Sequence, residues 1–376
     1  MIKFIAVLAL IALTFASDEH IVALVNSNPT SMWVAGTNPR LVDVSPEERR
    51  AMLGLQIEHV NLPKKVDEEL YLPDTFDVRE QWPGCPSYSI RDQGRCGSCW
   101  AFGAAEALSD RFCIAQNKKV VLSPQWLVSC DKSNMACNGG WLDKVWRFMA
   151  STGVVEDSCM KYVSGRAGQV PPCPSQCEDG SALKMYKAAN AYDVSSSETA
   201  IMSEIQKYGS VEVGFSVYSD FMSYRSGIYH HQTGYLQGGH AVKMIGWGVE
   251  NGQKYWLVAN SWGTGWGESG HFRIRRGVNE CNIESMVTAG QAGSAPNEVD
   301  EQDAYVEELG NKYKCKLCKS ALKIILKVVE KGACDGVCNS LPAFSNACRV
   351  ACHALVDKEC KGKECIEHGC KKMHYC

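Results

Sequence analysis

Twenty cysteines limit what this 376-residue chain can fold into more than any other feature. They are unevenly placed. Residues 17–71 hold none, residues 72–290 hold ten, and residues 311–376 hold the other ten. Such a density belongs to chains that mature in an oxidising compartment, where cysteines are consumed in disulfides. The N-terminus provides the route there. Met1-Ile2-Lys3, the apolar run 4–15, and the small residues Thr14 and Ala16 at the two recognition positions read as a secretory signal peptide over residues 1–16. That run falls short of the about 20 apolar residues that span a bilayer, and no later run reaches that length. The expectation is a soluble mature protein of the secretory pathway, without a usable Asn-X-Ser/Thr site for N-glycan sorting. A formal net charge of −3 gives no field that would draw nucleic acid, so no nucleic-acid partner is expected.

The cysteine blocks also organise the chain. Residues 17–71 are rich in Asp, Glu, Arg and Val, whereas 72–290 hold most of the tryptophans and glycines. The small, acidic stretch QAGSAPNEVDEQDAYVEELG, residues 291–310, reads as an exposed linker to the last block. Inside the middle block Ala101, Ala105, Leu108 and Phe112 recur at helical spacing and predict a buried helix starting near Cys99. Farther on, the runs 240–248, 254–262 and 271–277 are β-rich and punctuated by Gly and Asn. Helices first and strands second predict an α+β body with a cleft between its halves.

Residues 93–100, QGRCGSCW, set two cysteines three positions apart. That spacing fits a redox pair, half of a zinc site, or two thiols with separate jobs, and an oxidising lumen weighs against the first two. Cys99 opens the predicted helix, where unpaired N–H groups and the helix dipole favour a thiolate. His240, at the head of an apolar strand after two glycines, is the candidate base. Asn260 closes another strand and is suited to orient the imidazole, while Gln93 and the Cys99 N–H would stabilise an oxyanion. Trp262 is expected to shield the His240–Asn260 hydrogen bond. The pair His230-His231 chelates poorly, because adjacent strand side chains point to opposite faces; packing is expected, and no metal or other cofactor.

The blocks QGRCGSCWAF, CNGGW, GGHAV and NSWGTGWG resemble the papain-like cysteine peptidases. LPDTFDVREQWPGCPSYSIRDQG, FSVYSDFMSYRSGIYHH, IGWGVENGQKYWLVANSWG and CNIES narrow the resemblance to the cathepsin B branch, over about residues 21–290. It implies a papain-like two-subdomain α+β fold over residues 72–290 and a Cys-His-Asn endopeptidase acting on proteins and peptides. Residues 17–71 would be an inhibitory propeptide of the short cathepsin B type, marked by SMWVAGTNPRLVDVS, which in the family runs backwards through the cleft. The resemblance further implies the disulfides Cys96–Cys137, Cys85–Cys113, Cys130–Cys173 and Cys159–Cys177, and leaves Cys281 free beside Cys99. It assigns substrate binding to Gly139, Gly140, Trp141, Leu142, Gly214, Gly239, Ala241, Trp262 and Met286, and points to a lysosome-like acidic vacuole or secretion.

Two departures from that branch matter. Cathepsin B carries an occluding loop whose two histidines grip a substrate's C-terminal carboxylate. The matching segment here, Cys159 to Cys173, has thirteen intervening residues and no histidine. Lys161 or Arg166 offers the only charge for a carboxylate there, so an open primed side and little carboxydipeptidase activity are expected. Cathepsin B also has a glutamate five residues after the free cysteine, at the base of its S2 pocket. That position is Met286, which predicts an apolar preference at P2, with Glu284 on the other parity or in a turn.

The last block, 311–376, resembles the saposin-like fold in its cysteine spacing, a small all-α module. The resemblance implies Cys315–Cys376, Cys318–Cys370 and Cys338–Cys348. Cys334 and Cys352 would face each other one turn farther along the same helix hairpin, and Cys360–Cys365 would close the set. A zinc site from the CxxC with His353, His368 and His374 is the rival reading, disfavoured by secretion and even pairing. Lys319, Lys323, Lys327 and Lys331 form one basic stripe, and the block carries thirteen Lys/Arg against six Asp/Glu. Anionic membranes are therefore a candidate partner, and a lipid-binding protein delivered by the peptidase body is the alternative function.

Overall fold

The computed structural model describes residues 18–58, 61–65, 70–166 and 168–295. The signal peptide, most of the linker and the whole C-terminal block, with its five expected disulfides and lysine stripe, lie outside the described residues. Three elements precede the body: α1 (residues 18–27), β1 (Trp33–Ala35) and α2 (Pro46–Ala51). The last is a single short helix that its sequence caps well. Ser45 accepts from the Glu48 amide, the Glu48 carboxylate accepts from the Ser45 amide, and Pro46 occupies the first helical position.

The body follows with β2 (Phe76–Asp77), α3 (Val78–Gln81), α4 (Cys99–Gln116), α5 (Pro124–Cys130), α6 (Leu142–Ser151), β3 (Tyr192–Asp193) and α7 (Glu198–Tyr208). Then come β4 (Val211–Tyr218), β5 (Tyr224–Tyr229), β6 (Leu236–Glu250), β7 (Gln253–Ala259), β8 (His271–Arg275) and β9 (Met286–Ala289). Ala101, Ala105, Leu108 and Phe112 do lie on one helix, α4, but every residue from Cys99 to Cys113 is buried as well. The helix runs between two cores and has no wet face over that length. One core gathers Trp100, Leu108, Phe112, Trp126 and Trp146 around α4 to α6. The other fills the sheet side with Phe215, Phe221, Trp247, Trp256, Trp262, Trp266 and Phe272. Four disulfides, Cys85–Cys113, Cys96–Cys137, Cys130–Cys173 and Cys159–Cys177, brace the helical half, and they are the pairs the resemblance implies.

The strand order is β1-β5-β8-β7-β6-β4-β9-β3, with β2 also on β6. Only β5–β8 is parallel; the other pairs are antiparallel. Two sequence boundaries move. Strand β6 begins at Leu236, before His240, because the ladder with β4 carries on through Ser216↔Gly239 and Val217↔Gly238 to Tyr218↔Leu236. The linker does not start at 291. Ala292 bridges Ala188, the Gly293 amide donates to Lys187 O at 2.9 Å, and Gln116 Nε2 donates to Gly293 O at 2.8 Å. Those bonds hold residues 291–294 on the body as surely as the strand before them. Among the described residues no helix is long and apolar enough to cross a membrane.

Candidate active site

Cys99 is the first residue of α4, with Ser98 as its cap, and it is fully buried. It packs against Ala241, the residue after His240 on β6. Packing of α4 on β6 therefore brings Cys99 beside the strand that carries His240, and in this closed state the thiol bonds with backbone groups of Ala241, Gly54 and Trp100 rather than with the imidazole. His240 Nε2 donates to Asn260 Oδ1 at 2.8 Å, and that oxygen also accepts the Ser261 amide at 2.8 Å. Two donors on one oxygen fix the Asn260 amide, so the imidazole tautomer follows and Nδ1 is the nitrogen left for chemistry. Among the described residues Nδ1 has no hydrogen-bond partner. The Trp262 ring lies 4.7 Å from the His240 ring, centroid to centroid, and covers this bond.

The site is closed in this state. Burial pushes the Cys99 thiol up to about 11, although the N–H groups of Ala241, Gly54 and Trp100 pull the other way. Burial also drives His240 down to about 4, against the hydrogen bond to Asn260. Between those values thiol and imidazole are both neutral. What excludes the water is residues 52–56. Gln93 Nε2 donates to Met52 O and to Cys96 O, each at 2.8 Å. The Leu55 amide donates to Gly239 O (3.1 Å), the Gly140 amide to Gly54 O (2.8 Å), and the Gln56 amide to Gly140 O (2.9 Å). Gly54 crosses so close to the backbone before Cys99 that a Cβ there would lie 1.9 Å from Gly97 O. Gly139, at φ +112°, is tight as well: its Cβ would stand 2.5 Å from Gly54 O. Ion pairs fasten the chain on either side of this segment, Arg40–Asp92 (2.8 Å) and Arg95–Glu48 (3.1 Å) before it and Lys65–Glu204 (2.6 Å) after it.

Leu55 drops into an apolar pocket made by Leu142, Ala241 and Met286 next to Cys99. A Cβ at Gly214 would lie 2.5 Å from Leu55 Cδ2 and 3.0 Å from Met286 Cε, so glycine there leaves the pocket its depth. Trp141 stands apart from this cluster; its amide bonds Asn134 Oδ1 and its ring carries Lys144 Nζ at 3.2 Å. Glu284 sits in a turn, as expected, and is occupied there by Trp256 Nε1, the Gly277 amide and the Asn279 amide at 2.7–3.0 Å.

Three contributors escaped the sequence reading. Ser261 Oγ donates to Gln93 Oε1 at 2.7 Å and thereby turns the Gln93 amide nitrogen toward the cleft. Tyr162 Oη bridges Gln93 O and Ser98 Oγ. Glu212 lies two residues before Gly214 on the same face of β4, takes Trp146 Nε1 at 2.8 Å, and is held well above the usual carboxylate range by burial. Ser261 was within reach, since it follows Asn260 directly; Glu212 and Tyr162 act across long loops that no local pattern reports.

Cys281 is free and buried, with Asn279, Cys281 and Asn282 all at positive φ. His231 stacks on Tyr218 at 3.9 Å and places Nδ1 3.1 Å from Asp220, a packing role. Among the described residues no group of His, Cys, Asp and Glu could hold a metal.

Residues 72–291 match the family described as papain family cysteine protease, and the chain belongs to that family. Cathepsin B-like CP3 of Giardia intestinalis is 44% identical over 287 residues, 74% of this chain and 94% of the relative. Cathepsin B-like cysteine proteinase 3 of Caenorhabditis elegans is 47% identical over 245 residues, 59% of this chain and 66% of the relative. Among solved structures, proCathepsin B S9 from Trypanosoma congolense superposes with a TM-score of 0.70 at 34% identity, covering 73% of this chain and 98% of that one. A procathepsin L 3 of Tenebrio molitor larval midgut gives 0.62 at 26%, covering 74% and 90%. Within the papain family, this chain is thus a cathepsin B-like cysteine protease with a propeptide.

Proposed function

We propose that this protease is an endopeptidase with an apolar P2 preference, held inactive by residues 17–71 until it reaches an acidic or extracellular compartment. The observation that carries the reading is Leu55, which packs into the buried apolar cluster of Leu142, Ala241 and Met286. Leu55 follows the residue at Cys99 in the chain, whereas a substrate's P2 residue precedes its scissile carbonyl. The propeptide therefore lies in reversed polarity and offers its Gly54 carbonyl to Gly140 rather than to the oxyanion donors. In an open cleft, His240 Nδ1 takes the Cys99 proton and the thiolate attacks the scissile carbonyl carbon. The oxyanion accepts from Gln93 Nε2 and the Cys99 N–H, and the imidazolium gives its proton to the leaving amine. Water then attacks the thioester with His240 as base, releasing the acid and regenerating the thiol.

The lack of histidines between Cys159 and Cys173 supports internal cleavage over dipeptide release. Burying an unpaired guanidinium beside Met286 costs several kcal/mol, roughly a hundredfold or more in rate. A Phe-Arg fluorogenic substrate should therefore far outrun Arg-Arg, and a long peptide should be cut internally. Equal rates would sink the pocket argument, and sequential C-terminal dipeptides the open cleft. For residues 311–376 we propose lipid binding through Lys319, Lys323, Lys327 and Lys331. The full chain should float with anionic vesicles, less so at high salt, and changing all four lysines to glutamine should abolish this.

A further inference from the structure

The inhibitory segment occupies two seats, and only one of them is the cleft. The second is the edge of the sheet. There β1 adds to β5 with Trp33↔Gly227 and Val34↔Ser226 opposed. The Ile228 amide donates to Met32 O at 2.8 Å and the Gly36 amide to Ser223 O at 2.8 Å. Trp33 is 3% exposed, with its ring 5.1 Å from Tyr229 and 6.0 Å from Tyr224, and its Nε1 donates to His230 O at 2.9 Å. Gln232 adds a side-chain bond to Ser31 Oγ at 2.7 Å. This seat reads an extended strand plus one aromatic side chain bearing an N–H. Gly227, at φ +94°, leaves room for it, since a Cβ there would lie 2.4 Å from Met32 O.

Removing the propeptide leaves β5, still paired with β8 on its other side, as an edge strand whose Ile228 amide and whose neighbouring Ser223 carbonyl lose their partners, with the Trp33 notch empty. Edges of that kind bind extended peptides by strand addition. Residues 37–51 connect this seat to Met52 in the cleft, so one polypeptide already spans both. They lead back from the Met52 end, which in the reversed propeptide is where the part of a substrate beyond its scissile bond must leave. We propose that in the activated enzyme the β5 edge is an exosite for protein substrates, which docks an extended, aromatic-bearing segment of the substrate C-terminal to the bond being cut. The proposal rests on the endopeptidase reading, because a closed primed side would bar such a chain. Occupying the exosite raises the local concentration of the scissile bond to the millimolar range without altering the chemistry.

The test uses activated full-length enzyme and three substrates. Two are long peptides with the same apolar-P2 cleavage sequence, a flexible spacer of about fifteen residues, and either Ser-Met-Trp-Val-Ala-Gly or its Trp→Ala counterpart; the third is a short fluorogenic peptide ending at the scissile bond. The Trp-bearing peptide should show a KM about tenfold below the Ala version at equal kcat. Excess free Ser-Met-Trp-Val-Ala-Gly should erase that difference while leaving short-substrate turnover unchanged. Equal KM for the two long peptides overturns the exosite, even if the free hexapeptide binds, because the seat then serves only the propeptide. Failure to cut either long peptide at its internal bond while the short substrate still turns over would instead remove the endopeptidase reading beneath it.

Discussion

Gly54 of the propeptide passes hard against the backbone just before Cys99, and replacing it with alanine should break inhibition without touching the enzyme. The added Cβ would stand 1.9 Å from Gly97 O and 2.4 Å from Gly97 C, both backbone atoms that no rotamer can relieve. An ordinary contact needs about 3.4 Å, so the segment must retreat by roughly 1.5 Å. The three backbone bonds that seat it measure 2.8–3.1 Å and do not survive such a shift. Each contributes about 1 kcal/mol net, and lifting Leu55 out of its pocket forfeits about 2 kcal/mol more. Partial relaxation around the site leaves a loss of about 2–5 kcal/mol, a Ki for the isolated propeptide raised roughly 30- to 3,000-fold. The assay is inhibition of activated enzyme by free 17–71 peptide, wild type against Gly54→Ala, with circular dichroism to show that both peptides have similar structure. A Ki within threefold of wild type would mean that the cleft contacts contribute little and that the β5 seat alone holds the propeptide.

Other outcomes follow from the same geometry. An epoxysuccinyl peptide should label Cys99 alone in the activated enzyme and nothing in the intact zymogen, since Cys281 is buried and its thiol is pushed up first by burial and then by Glu280; an adduct mapped to Cys281 would undo the assignment. Acid should loosen the propeptide. His240 is held down to about 4 in the closed state, so a released imidazole near its ordinary 6.5 binds more protons between those values. The clamp is then at full strength above pH 6.5 and weakens as pH falls toward 4, by about 3 kcal/mol in total; a Ki that stays flat from pH 7 to 4 refutes this. Ser261→Ala removes the hydroxyl that orients Gln93 and should lower kcat about tenfold with KM within twofold; an unchanged kcat would show that Cys96 and the backbone position Gln93 without it.

Chemistry was the most legible part of the sequence, because a nucleophile at a helix start and a histidine in a glycine-flanked strand are local patterns. Cys99, His240, Asn260 and Gln93 could be picked out before any contact was known, and the resemblance added Met286 and four disulfides. What stayed hidden depends on distant pairs. Met52 meets Gln93 across 41 positions, and Glu212 meets Trp146 across 66, with no periodicity to announce either. The acidic composition from residue 291 onward read as linker, yet bridging to Ala188 holds the chain down to Ser294. Backbone pairing decided that boundary, and composition is blind to it.

The sheet-side core contains eight side chains from before residue 72: Ile21, Val25, Trp33, Ala35, Leu41, Val44, Met52 and Leu53. They belong to the same continuous cluster as Phe221, Trp262 and Phe272. The chain that folds is therefore not the chain that works. On the proposed activation, part of the hydrophobic material packed into the sheet half is cut away, and what remains is expected to persist through the height of its barrier to unfolding. The activated enzyme is then a molecule whose lifetime is set by a rate rather than an equilibrium: once unfolded it lacks its template, and each active copy has a finite working life that begins at the cut.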